Sequence, residues 1–309
     1  SYIFKQGLKY LPNDIVLLEV AAWNEGKLNN IQNQIYYYEE IIELEETNTN
    51  VLNELSDIYR DDERYEDQLT ILNLWLEIDD TNKKAIGEKK AAYIALGKDE
   101  SKVDEDRWVK DPSNIQYGLE YVESLLENDI IEKALEVLLE LQSYDRYNKN
   151  ILQKLGEIYL DFGDNDNALR AFEELYKLDK SQYSIAVVIS NILIDKENYQ
   201  KALEWAEISI QVTGSNGESL FQRAEVYFSI ADNCSGESLN FNDKLIYEMA
   251  YEDYELSVKK GYYRAKVRRD FLQENNITTT GDWFMLGEDK EASPEGQCYK
   301  WIKRKVNRK

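Results

Sequence analysis

The sequence predicts an all-α chain: helix–turn–helix repeats stacked into a right-handed superhelical solenoid, closed by a C-terminal capping helix and an irregular tail. Three observations predict it. Ala134, Ala168 and Ala202 recur every 34 residues, each followed by Leu, and a period of that length marks stacked helical hairpins. A second column of small residues, Ala22, Ser56, Gly156, Ser190 and Ala224, runs ahead of the first in the same frame. Only 3 Pro and 14 Gly interrupt 309 residues, 43% of them apolar, which favours long helices around a sizeable core. Two antiparallel helices approach closely only where one presents a small side chain, so one small residue per hairpin is the mechanical signature.

The elements follow in order. Within residues 1–14, Phe4, Gly7, Leu8 and Pro12 fit the second helix of a unit whose first helix is missing, so the chain reads as a fragment or processed product. Units then begin near Ile15, Thr49, Lys83, Ile115, Lys149, Tyr183 and Gly217, with a tyrosine column at Tyr59, Tyr93, Tyr159 and Tyr227. The unit from Lys83 is two residues short and its second half, 100–106, is mostly charged, so a frayed or distorted second helix is expected there. In the last unit Ala250 lies 48 residues after Ala202, leaving 14 extra residues, expected as a polar loop at about 231–243. Residues 266–274 read as a capping helix, which closes the solenoid at about 275. The tail, 276–309, is expected to fold Trp283, Phe284, Trp301 and Ile302 onto the last repeat.

Composition excludes several functions. With a net charge of −23 the chain lacks the clustered cations that binding a phosphate backbone requires, so nucleic acid is not an expected partner. There is no His, which removes the commonest general base and a frequent metal ligand. No phosphate-binding glycine loop and no CxxC occurs. The run Asp161–Asn167 looks calcium-like, yet counting from Asp164 its sixth and twelfth positions are Leu169 and Leu175, where a calcium loop needs Gly and Glu. No enzyme activity, cofactor or metal is expected, and no apolar stretch is long enough to span a membrane.

The clearest unit, 149–182, reads Leu155-Gly156, Tyr159, Gly163, Ala168-Leu169, Phe172 and Leu175, and so resembles the tetratricopeptide-repeat (TPR) pattern. The resemblance covers about residues 1–275. It implies a concave groove lined by positions 2, 5, 9, 12 and 13 of each first helix. In the last four units these include Leu119, Gln153, Val187 and Phe221; Glu123, Glu157, Asn191 and Glu225; and Leu126, Leu160, Ile194 and Phe228, with no Lys or Arg at any of the five positions. Such a surface suits an extended or helical segment of another protein, with apolar anchors and basic flanks. It does not suit the acidic C-terminal peptide that chaperone-docking TPR domains hold with a cationic clamp. Cys234 and Cys298 lie outside the regular repeats. In a cytosolic protein they would be unremarkable thiols; in an exported one they would form a disulfide pinning the tail across the insertion. The paired cysteines and the Trp283-Phe284-Met285 cluster make the tail similar to exported TPR proteins of Gram-negative bacteria. That favours the periplasm or cell envelope over the cytoplasm, with membrane contact only through a segment preceding Ser1 or through the basic terminus. The expected function is a non-enzymatic scaffold, an accessory to secretion or surface assembly in that setting; the alternative is the docking module of a longer protein whose upstream part carries an enzyme, anchor or regulatory domain.

Overall fold

The computed structural model describes residues 2–285 and 290–308, without the side chain of residue 275. Residue 1 of the expected half-repeat and residues 286–289 and 309 of the expected tail therefore lie outside the described residues. The chain divides into two compact units, residues 1–144 and 145–309. Both are helical hairpins packed in sequence order, an all-α solenoid of the TPR type.

In the first unit the helices are α1 (Tyr2–Tyr10), α2 (Ile15–Lys27), α3 (Ile31–Leu44), α4 (Thr49–Asp61), α5 (Tyr65–Ile78), α6 (Lys83–Ala95), α7 (Ser101–Lys110), α8 (Ile115–Glu127) and α9 (Ile131–Tyr144). First helices start behind an Asx cap: Asp14, Asn48, Asn82 and Asn114 accept from the backbone of Leu17, Val51, Ala85 and Tyr117, satisfying N–H groups that have no partner within the helix. Within hairpins the chain turns through a left-handed residue at Asn29, Glu63, Gly97 and Asp129. The next backbone N–H then bonds five residues back, as Asn30 does to Glu25 and Arg64 to Tyr59.

The charged second half of the unit from Lys83 is not frayed. It forms α7, a regular ten-residue helix, shorter than its neighbours but anchored by polar burial. In α5, α7 and α9 the fourth residue is buried at the hairpin contact: Gln68, which donates to Ser56 of α4, Asp104, which pairs with Lys90 of α6, and Ala134. Asp104 is 1% exposed. It meets Lys90 Nζ at 2.5 Å and accepts from Ser124 Oγ at 2.5 Å. Arg107, also buried, reaches Glu120 at 2.5 Å and lies 4.4 Å over the Tyr117 ring. A buried ion pair here replaces the small-on-small contact used elsewhere.

The second unit holds α10 (Lys149–Asp161), α11 (Asn165–Leu178), α12 (Tyr183–Asp195), α13 (Tyr199–Thr213), α14 (Gly217–Cys234), α15 (Phe241–Lys259), α16 (Ala265–Asn275) and α17 (Thr280–Phe284). A two-stranded ribbon pairs β1 (Glu291–Ala292) with β2 (Val306–Asn307) in antiparallel fashion. Ala168, Ala202, Ser190 and Ala224 are fully buried, and they let α10 through α15 interleave around a core that includes Ile189, Tyr227, Ile246 and Tyr254. Most of the insertion is helix rather than loop. It lengthens α14 to 18 residues and α15 to 19, leaving only 235–240 as connection, because Ile230, Ala231 and Leu245 continue the apolar stripe and bury.

The tail is held on α14 and α15 by polar latches inside an apolar contact. Trp283 is 1% exposed, lies 5.5 Å edge-on to Phe241, and donates its indole N–H to Thr278, which in turn donates to Glu248. Tyr299 donates to Asp243 at 2.6 Å. Arg304 reaches Asp253 Oδ2 at 2.7 Å, and Arg223 of α14 reaches the same oxygen at 2.7 Å. Ile302 and Val306 are buried, whereas Phe284 and Met285 remain exposed, so only part of the expected aromatic cluster covers the last repeat. Cys234 and Cys298 are joined in a disulfide, Cα atoms 6.4 Å apart.

Candidate functional site

The groove residues named from the sequence fall in both units, and each set stands by itself. In the first unit α8 carries Leu119 and Leu126 half-buried and Glu123 exposed. In the second unit α10, α12 and α14 share one face. There α12 and α14 are tied by Tyr183 donating to Glu218 at 3.0 Å and by Gln222 donating to Ser190 at 3.1 Å. Leu160, Ile194 and Phe228 pack half-buried against the core and leave an apolar edge at the surface. Val187 is half-buried beside them; Gln153, Glu157 and Asn191 are exposed, with Gln153 donating to Glu157 at 2.9 Å.

The α14 positions differ from the rest because they already have partners within the chain. Phe221 lies 5.6 Å from the Tyr254 ring and 5.2 Å from Tyr262. Glu225 accepts from the Tyr254 hydroxyl at 2.6 Å and faces Arg268 Nε at 3.6 Å. Phe228 meets Tyr247 at 5.7 Å and Phe271 at 6.4 Å, and the Arg268 guanidinium lies 4.6 Å over its ring. Burial, and then the neighbouring Glu225 carboxylate, pushes the Tyr254 phenol far above its ordinary value, so it stays a donor to Glu225.

Reading 266–274 as a capping helix leaves out Arg268 and Phe271, which the structure places against Phe228. A signal was present: Ala265 follows Gly217 by the same interval as Ala250 follows Ala202. That interval makes α16 a further first helix, and its Arg268 and Phe271 reach Phe228 from outside positions 2, 5, 9, 12 and 13 of the frame. Among the described residues no cluster of three or more metal-ligating side chains occurs, and no helix is long and apolar enough to cross a membrane.

No family model and no curated protein matches the chain. Solved structures with similar helical packing include MamA (15% identity over 59% of this chain and 97% of that one, TM-score 0.47). A second is PilF of Pseudomonas aeruginosa (19%, 72% and 96%, TM-score 0.45). A third is a tetratricopeptide repeat protein from Parabacteroides merdae (12%, 84% and 99%, TM-score 0.38).

Proposed function

We propose that the chain is a non-enzymatic protein–protein interaction scaffold whose second unit holds a segment of another protein along the first-helix face of α10, α12 and α14. One observation carries this reading: Leu160 and Ile194 form an apolar line at the surface, beside the exposed Glu157 and Asn191. An apolar line of that kind, rimmed by polar groups, marks a docking surface rather than a solvated one. A partner segment would bury apolar side chains on the line and bring basic flanks to the carboxylates. The same role is proposed for Leu119, Glu123 and Leu126 on α8. An oxidising setting such as the bacterial cell envelope accords with the Cys234–Cys298 bond.

The test uses exposed positions, so that folding is spared. The wild-type chain and a Glu157→Lys/Asn191→Lys variant are each used to capture partners from an extract of the native organism, followed by cross-linking and peptide mapping. Cross-links concentrated on α10 and α12, and lost in the variant, are expected. Cross-links that persist unchanged in the variant, or that map to α11 and α13, would remove the reading.

A further inference from the structure

We infer that this face is electrically polarised, so that it selects a dipolar partner segment: apolar in the middle, basic where it crosses α10 and α12, acidic in its side chains where it reaches α16. The inference rests on the docking reading above and specifies its ligand. Three observations support it. At one end the groove positions of α10 and α12 carry Glu157, Asp161 and Asp195, all exposed. At the other end α16 presents Arg264 and Arg268, both exposed and one helical turn apart on the same side. Between them, the one carboxylate that α14 contributes at position 9 is already engaged: Glu225 is held by the Tyr254 hydroxyl and by Arg268. The other groove carboxylate of α14, Glu218, accepts from Tyr183, so Arg264 and Arg268 leave the α16 end cationic, in a chain whose net charge is −23.

The apolar line is continuous across this change of sign. Leu160, Ile194 and Phe228 are followed by Phe271, 6.4 Å from Phe228 and 55% exposed. The Arg268 guanidinium lies over the Phe228 ring, which holds it at the groove and leaves its outer N–H groups for a carboxylate. Successive first helices packed at ~9 Å spacing put α10 and α16 roughly 27 Å apart. That distance matches about eight residues of extended chain. A uniformly basic segment would meet Arg264 and Arg268 unfavourably, and a uniformly acidic one would be repelled at α10; only the dipolar arrangement satisfies both ends.

The experiment uses three pooled synthetic peptide libraries, amidated at the C-terminus, of equal length and with the same randomised apolar core. One has lysines at one end and glutamates at the other, one has lysines at both ends, and one has glutamates at both. Binding to the full chain is read by fluorescence anisotropy at low salt. The dipolar pool is expected to bind about five- to tenfold more tightly than either uniform pool. An Arg264→Glu/Arg268→Glu variant should shift the preference to the uniformly basic pool. Should the double variant unfold, Arg264→Glu alone, at the exposed start of α16, should shift it in the same direction. Equal or tighter binding of the uniformly basic pool by the wild type, or an unchanged preference in the arginine variants, overturns the polarity while leaving the docking reading in place. Failure of all three pools to bind overturns both.

Discussion

Small residues at hairpin contacts are held to set how closely the helices pack, and two glycines of the chain turn that into a prediction of opposite signs. Gly156 lies in α10, where a Cβ would stand 2.7 to 2.9 Å from the ring of Phe172. Phe172 is 2% exposed, so the ring has nowhere to swing. Gly87 lies in α6, where a Cβ would meet nothing within 4 Å. In a helix interior Ala is better than Gly by ~1 kcal/mol. Overpacking a filled core costs ~1–3 kcal/mol. Gly87→Ala should therefore gain ~1 kcal/mol, while Gly156→Ala, with the clash set against the same gain, should lose ~0–2 kcal/mol. Urea unfolding followed by circular dichroism reads the difference as a shift in midpoint at unchanged slope. A Gly156→Ala midpoint raised as far as that of Gly87→Ala would refute the close-contact account.

Three other outcomes follow from the second unit. Asp253 is 2% exposed and grips two arginines, so Asp253→Ala should cost ~3–5 kcal/mol. Arg304→Ala should cost less, because Arg223 still pairs; equal losses in thermal melts would argue against the shared latch. Alkylation followed by intact-mass measurement should label neither Cys234 nor Cys298 before reduction and both afterwards. Reduction should also lower the unfolding free energy by up to roughly 4 kcal/mol on the chain-entropy account, and free thiols in the unreduced protein would end that expectation. Burial raises the phenols of Tyr227 and Tyr254, the latter also through Glu225. The folded state keeps those protons when the unfolded chain has lost them at about pH 10. Their contribution to stability is then complete below that pH and lost as pH rises beyond it. Tyrosinate absorbance should thus rise cooperatively with unfolding; smooth titration of every tyrosine at about pH 10 with the helices intact would contradict the burial.

The second half of the chain was legible because its contacts are apolar and small. Ala168 and Ala202 both sit where a helix closes on its partner, and only a small side chain fits. In the first half the same structural place is taken by Gln68, buried and donating to Ser56 at 3.2 Å, and by Asp104, paired with Lys90. Polar pairs solve the same packing problem without any repeat in residue type, so the period fades while the geometry persists. The turns hide for a related reason. Of the left-handed positions Asn29, Glu63, Gly97, Asp129, Gly163 and Glu197, only two are glycine. The insertion misled because Asn233, Ser235 and Asn240 look loop-like in sequence, whereas the buried stripe of Ile230, Ala231 and Leu245 decides the structure. At the candidate site the apolar line was visible in the repeat frame. The cations of α16 were not, since they lie beyond the last unit with a recognisable alanine.

Hydrogen–deuterium exchange, with and without a saturating dipolar peptide, tests most directly whether this solenoid works as a docking scaffold. The account predicts slower exchange in α10, α12, α14 and α16, with α11, α13 and the tail unchanged. Protection confined to the second helices or to the tail, with the first helices unaffected by a peptide that demonstrably binds, would contradict it.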